Sequence, residues 1–153
     1  MPDRTSNFIQ LANDAGRSVT GTCKNWTSFL TTASRLYKYP YHEQLMIYAQ
    51  RPDATACATY DLWNNTMRRY VRRGARSIAL LDTSGETVRL KYVFDVSDTG
   101  ERANSRPLEQ WKLGAQHEQP VMDRLEREYG ASTENSLVRQ IEDAAGRMAE
   151  DYW

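Results

Sequence analysis

Cysteine and histidine are scarce in this chain of 153 residues, two of each, and the scarcity removes whole classes of chemistry. Cys23 and Cys57 stand far apart without a CxxC partner, and His42 and His117 have no second histidine within ligand spacing, so neither a zinc site nor a Cys-His nucleophile can be assembled. His42-Glu43 and His117-Glu118 each begin the HExxH pattern of zinc proteases, yet the second ligand position is Met46 in one case and Val121 in the other. The two cysteines could form one disulfide, but the N-terminus MPDRTSNFIQ is no secretion signal, and reduced thiols in a cytoplasmic protein are the expectation. No apolar run approaches the roughly 20 residues needed to span a bilayer. There is no GxxxxGKS/T phosphate loop, tandem repeat or low-complexity tract, so nothing points to nucleotide hydrolysis, and neither a cofactor nor a metal is expected.

What is present is ordinary in amount and uneven in placement. Hydrophobic residues at 40% and charged residues at 26% suit a folded domain, and the length suits one domain with an appended helical segment. The formal net charge is zero, but residues 35–91 hold 10 basic and 5 acidic side chains, about +5, whereas residues 92–153 hold 7 basic and 13 acidic, about −6. A basic block followed by an acidic third suggests two surfaces with different partners; two solvated faces are the plainer alternative.

Periodicity predicts an α+β fold, with N-terminal helices packed on a small antiparallel hairpin or sheet and helices after it. Residues 1–24 read as a flexible arm, since their apolar content is weak. A helix from Asn25 to Tyr37 carries Trp26, Phe29, Leu30, Ala33, Leu36 and Tyr37 on one face, which assigns Trp26 to the core; Thr22 or Asn25 can cap it. Pro40 opens a second, largely buried helix ending before Pro52, with Gln44 and Gln50 near its ends, facing outward. Residues 54–58 read as a short extended piece, and Thr59 can cap a short helix through Asn65. Ser77 to Leu81 and Val88 to Val96 form a hairpin; in the second strand Leu90, Tyr92 and Phe94 make the apolar face, with Arg89 and Lys91 outward. Residues 100–118 read as a linker, and two helices follow, from Gln119 to Tyr129 and from Glu134 to the C-terminus, as an acidic extension over 119–153. The second helix keeps Leu137, Ile141, Ala144, Ala145 and Met148 on one stripe and stops at Tyr152-Trp153 while still apolar.

The stretch from Tyr39 to Gly74 interleaves aromatics with arginines, a combination that holds unpaired bases by stacking while neutralising phosphates. Its pattern, together with the preceding helix, resembles the N-terminal single-stranded-DNA-binding domain of ArdC-type antirestriction proteins. The matching residues are Trp26, Tyr41, Gln44, Leu45, Ile47, Gln50, Pro52, Ala54, Trp63, Val71, Arg73 and Gly74. The likeness spans roughly residues 25–99, which delimits an ArdC-like core. Related domains head large multidomain proteins of conjugative plasmids and transposons, so it implies protection of incoming DNA during transfer. One departure is Glu43, where the family often carries Asn; a carboxylate there opposes a phosphate track.

The expectation is therefore a non-catalytic single-stranded-DNA-binding domain of a mobile element. Lys38, Arg51, Arg68, Arg69, Arg72, Arg73, Arg76, Arg89 and Lys91 would neutralise phosphates, Tyr39, Tyr41, Trp63 and Tyr70 would offer stacking platforms, and Gln44 would add a polar contact. Little base preference would follow, because stacking and charge do not read base edges. The alternative is a protein inhibitor of a host restriction or CRISPR nuclease, its acidic third occupying a basic nucleic-acid channel. A third possibility is an enzyme fragment whose catalytic part lies beyond Trp153.

Overall fold

The computed structural model describes residues 3–131, 139–144 and 147. The chain divides into two compact units, Met1–Leu108 and Glu109–Trp153. The first is α+β: helices α1 (Arg4–Val19), α2 (Cys23–Arg35) and α3 (Tyr41–Gln50) precede strands β1 (Cys57–Ala58), β2 (Arg69–Val71), β3 (Ile78–Asp82), β4 (Arg89–Asp95) and β5 (Thr99–Glu101). A π-helical turn, Leu62–Thr66, lies between β1 and β2, and a 3-10 turn, Val96–Asp98, between β4 and β5.

The segment expected to be a loose arm is the helix α1. Phe8, Ala12, Ala15 and Val19 recur at helical spacing, and all four turn inward: Ala15 and Val19 are buried, and Phe8 and Ala12 pack on the main core. Two of its four members are alanines, which is why the stripe is faint in sequence. Helix α2 is capped at Thr22, whose hydroxyl accepts from the Asn25 N–H at 3.1 Å. Its buried side is centred on Phe29, Thr32, Ala33 and Leu36, so the expected stripe is rotated and Trp26, assigned to the core, stands 37% exposed. Thr32 can occupy an inner position because its hydroxyl donates to the Pro52 carbonyl at 2.5 Å.

Helix α3 starts at Pro40 and ends ahead of Pro52 as the prolines require, and it is the hub of the core. Met46 and Ile47 pack with Leu36, Ala54, Ile78, Leu80 and Val93. Neither glutamine at its ends faces outward. Gln44 Nε2 donates to the Leu36 carbonyl at 3.0 Å, satisfying the end of α2. Gln50 lies along the open edge of β3, donating to the Ala79 carbonyl at 2.8 Å and accepting from the Ala79 N–H at 3.0 Å, so a side-chain amide takes the place of a neighbouring strand.

The main sheet has the order β1-β4-β3, antiparallel throughout, with Ile78 opposite Val93, Leu80 opposite Lys91 and Asp82 opposite Arg89. The hairpin is as expected, but the inward face of β4 is the opposite one: Val93 and Asp95 are buried, while Val88 and Tyr92 are exposed. Two polar partners make this possible. Lys91 reaches Glu43 on α3 at 2.5 Å, and Asp95 accepts from the Thr55 and Ala56 backbone N–H groups at 2.7 and 3.0 Å and from the Ser97 hydroxyl at 2.6 Å. The residues after the hairpin are not all linker: Thr99–Glu101 forms β5 and pairs antiparallel with β2, Tyr70 opposite Gly100.

In the second unit, α4 (Ala115–Tyr129) begins before the expected Gln119, because His117 Nδ1 accepts from the Gly114 backbone N–H at 3.0 Å and closes the helix start. The His117-Glu118 pair is thus a capping element. Residues 139–144 are helical, with Ala144 buried and Ile141 exposed. The rest of the final expected helix, including Leu137, Ala145, Met148 and the Tyr152-Trp153 end, lies outside the described residues. No helix among the described residues is long and apolar enough to cross a membrane.

Candidate nucleic-acid interface

An open groove in the first unit runs between the segment leaving α3 and the segment entering β3. It is lined by Gln50, Arg51, Pro52 and Asp53 from one segment and by Gly74, Ala75, Arg76, Ser77 and Ile78 from the other, together with Asp98. Position is fixed by the backbone. The Arg72 N–H donates to the Asp98 carbonyl at 2.9 Å, the Ala75 N–H to the Arg72 carbonyl at 3.1 Å, and Gly74 supplies a φ of +82°, a left-handed conformation that glycine adopts without strain. The basic turn is therefore fastened beside the groove.

Within this region the arginines divide into two kinds. Arg51 is committed: its guanidinium pairs with Asp98, donates to the Ser97 hydroxyl at 2.8 Å and lies 3.6 Å from Asp53. Burial works against its charge, but these carboxylates more than offset that and raise its pKa further. Arg69 is also committed, buried with Nε on Thr99 Oγ1 at 2.8 Å and a terminal nitrogen on Glu101 at 2.8 Å, where it ties β2 to β5. Arg68, Arg72, Arg73 and Arg76 are exposed, and among the described residues none of them has an ion-pair partner. Arg68 holds φ +57°, a conformation of about 1–2 kcal/mol cost for a residue with a Cβ, beside the strand start; its carbonyl is held by the Ser105 hydroxyl at 2.7 Å.

Tyr70 stands between these arginines on β2, 43% exposed. Its ring covers Gly100 so closely that a Cβ on that glycine would lie 2.2 Å from Tyr70 Cζ. The glycine thus makes a seat for one side of the ring and leaves the rest of it to solvent. Arg68, Tyr70, Arg72, Arg73 and Arg76 are the expected contact residues that stand exposed within one short segment, β2 and the turns on either side of it.

The other expected contact residues are elsewhere or occupied. Trp63 is 1% exposed with its indole N–H on the Phe94 carbonyl at 2.9 Å, a core residue and not a stacking platform. Tyr39 is half-buried with its hydroxyl on the Cys57 carbonyl at 2.7 Å, and burial raises its pKa. Gln44 is spent on α2, and Lys91 on Glu43. Glu43, singled out in the sequence as a carboxylate among expected contact residues, is buried and paired with that lysine. Arg89 is exposed opposite Asp82 at the far end of the hairpin. Lys38 and Tyr41 are exposed where α3 begins, roughly 14 Å along the helix from the groove at its other end. The groove itself, with Asp98 closing on Arg51, was not foreseen; sequence separation of 47 residues between the two left no local signal.

Among the described residues no group of three or more His, Cys, Asp or Glu is placed to hold a metal ion. Cys23 is exposed on α2, and Cys57 is half-buried on β1 with Sγ 3.8 Å from Asp95. Set against protein-family models, curated proteins and solved structures, the chain matches none of them.

Proposed function

We propose that the first unit binds single-stranded DNA without catalysing a reaction, through the unpaired arginines of the β2–β3 turn and the seated ring of Tyr70. The observation that carries this reading is the contrast between arginines: Arg51 and Arg69 hold the fold, whereas Arg68, Arg72, Arg73 and Arg76 are exposed without ion-pair partners among the described residues, in the same short segment as the exposed Tyr70. Guanidinium groups neutralise phosphates, and a tyrosine face accepts any base. The ArdC-like pattern of residues 25–99 supports the same reading and supplies its setting, a cytoplasmic protein of a mobile element that shields DNA during conjugative transfer.

Fluorescent oligonucleotide binding tests it. Arg72→Glu/Arg73→Glu should weaken single-strand binding at least about tenfold and reduce the slope of log affinity against log salt by about 1.4, since each lost phosphate contact on a single strand accounts for about 0.7. Unchanged affinity in a folded variant would contradict the proposal.

The runner-up is a protein inhibitor of a host nuclease. It draws on α4, which exposes Glu118, Asp123, Glu126 and Glu128. Under that reading, removing charge at Glu126, Glu128 and Glu142 should abolish function while the arginine reversal leaves it intact.

A further inference from the structure

The β2–β5 ladder has a further rung that its paired residues do not supply. The register, Arg69 opposite Glu101 and Tyr70 opposite Gly100, sets Arg68 opposite Arg102. Bonded pairs recur at every second residue of an antiparallel ladder, and the Arg72 N–H meets the Asp98 carbonyl at 2.9 Å, so the Arg102 N–H is due to meet the Arg68 carbonyl. A side chain carries that rung instead. Ser105 Oγ accepts from the Arg102 N–H at 2.7 Å and donates to the Arg68 carbonyl at 2.7 Å. The Ser105 N–H closes the turn onto the Arg102 carbonyl at 3.0 Å, and the Arg106 N–H donates to the Met67 carbonyl at 2.9 Å. Residues 102–106 are thereby fastened onto Met67 and Arg68, and Arg68 alone among the described non-glycine residues has a left-handed backbone.

This fastening gathers charge of one sign. Arg68 and the arginines on either side of Ser105 converge on one bend across a separation of 37 residues. Arg68, Arg102 and Arg106 are all exposed, and among the described residues none of them has an ion-pair partner. Arg102 sets one terminal nitrogen on Asn64 Oδ1 at 3.1 Å, a neutral partner that leaves its charge uncompensated, and the adjoining Glu101 is held by Arg69 at 2.8 Å. Like charges gathered at one bend repel, and an anion laid over them removes the repulsion. The bend also has a fixed place relative to the arginine turn. At about 3.3 Å per strand residue, Arg68 lies about 13 Å along β2 from Arg72, with Tyr70 midway, so cations stand at both ends of the seated ring.

We propose that Arg102 and Arg106 are further contacts for the phosphates of a single strand, and that Ser105 is the residue that positions them beside Arg68. The proposal rests on the DNA-binding reading and deepens it: a strand whose base lies on Tyr70 runs along β2, with phosphates on the arginine turn at one end and on this bend at the other. Guanidinium forks suit phosphate oxygens, and a serine hydroxyl that both accepts and donates fixes the spacing between the two backbones.

The test is arginine footprinting of the full chain with hydroxyphenylglyoxal, with and without oligo(dT) of about 12 nucleotides, read by peptide mass spectrometry. Arg102 and Arg106 should be protected together with Arg72 and Arg73, while Arg89 stays reactive. Arg102→Gln/Arg106→Gln should weaken binding at least about fivefold and lower the slope of log affinity against log salt by about 1.4, at about 0.7 per lost phosphate contact. Ser105→Ala should lower that slope as well, and Ser105→Thr, which keeps the hydroxyl, should restore it. A serine that only holds the fold would shift the thermal melt and leave the slope unchanged, which would overturn its positioning role. Equal modification of Arg102 and Arg106 with and without oligonucleotide, and an unchanged slope in the glutamine variant, would overturn the bend as a contact; if Arg72→Glu/Arg73→Glu still weakens binding, the arginine turn stands without it. Failure of the wild-type chain to bind oligo(dT) would remove both readings together.

Discussion

Asp95 and Cys57 show how single residues in this fold are set by their partners. Burial pushes the Asp95 carboxyl up, but hydrogen bonds from Ser97, Thr55 and Ala56 outweigh it and hold the group below the ordinary carboxylate range. A depressed folded pKa means stability that is present above the unfolded value of about 3.9 and is lost as pH falls through the folded one. Urea unfolding across pH 2–7 should therefore show Asp95→Asn less stable near neutrality by about 2 kcal/mol, with a shallower decline in acid than wild type. Parallel curves would remove Asp95 from that role. Burial, followed by the Asp95 charge, pushes the neighbouring Cys57 thiol up to about 12, so at pH 7.5 a maleimide should modify exposed Cys23 and spare Cys57 in the folded protein. Equal labelling rates would contradict the half-buried placement of Cys57 on β1. At the candidate site the residue to change is Gly100. Gly100→Ala must push the Tyr70 ring off its seat, and it should cost DNA affinity more than it costs stability, measured by the same oligonucleotide assay alongside a thermal melt.

Between elements, polar side chains do work that a hydrophobic pattern does not announce. Gln50 satisfies both backbone groups of Ala79 on the edge strand β3, so Gln50→Ala should lower stability by about 1–3 kcal/mol in chemical denaturation, and Gln50→Leu, which keeps bulk, should not restore it. A loss below about 0.5 kcal/mol would mean that water replaces the amide. These polar ties also mark where sequence reading stopped. Helices α2 and α3 and the β3–β4 hairpin were legible from spacing, capping and prolines. The face of β4 was not, because alternation favours Leu90, Tyr92 and Phe94, while Glu43 gives the half-buried Lys91 a partner on the inward face and the Thr55–Ala56 amides make Asp95 acceptable inside. Helix α1 escaped notice because Ala12 and Ala15, in the middle of its inward stripe, contribute little to a pattern, and the β2–β5 pair because strands of three residues carry almost none. Of the candidate site, the arginine cluster and Tyr70 were visible as composition. Which arginines hold the fold and which are free depends on contacts such as Arg51–Asp98 and Arg69–Glu101, which no local window contains.

At the scale of the molecule, net neutrality conceals two units of opposite sign. Residues 1–108 hold 15 basic and 10 acidic side chains and residues 109–153 hold 5 and 10, about +5 and −5. A neutral total argues against nucleic-acid binding only when charge is evenly spread, and here four exposed arginines without ion-pair partners among the described residues, Arg68, Arg72, Arg73 and Arg76, fall within nine residues of the first unit. The most direct measurement is the affinity of the full chain for fluorescent oligo(dT) and for a duplex of equal length across a salt series from about 20 to 300 mM. Tighter binding to the single strand, with log affinity falling linearly in log salt, is the predicted result, and the slope divided by about 0.7 counts the phosphates engaged. Absence of binding at the lowest salt, or a preference for duplex, would contradict the account.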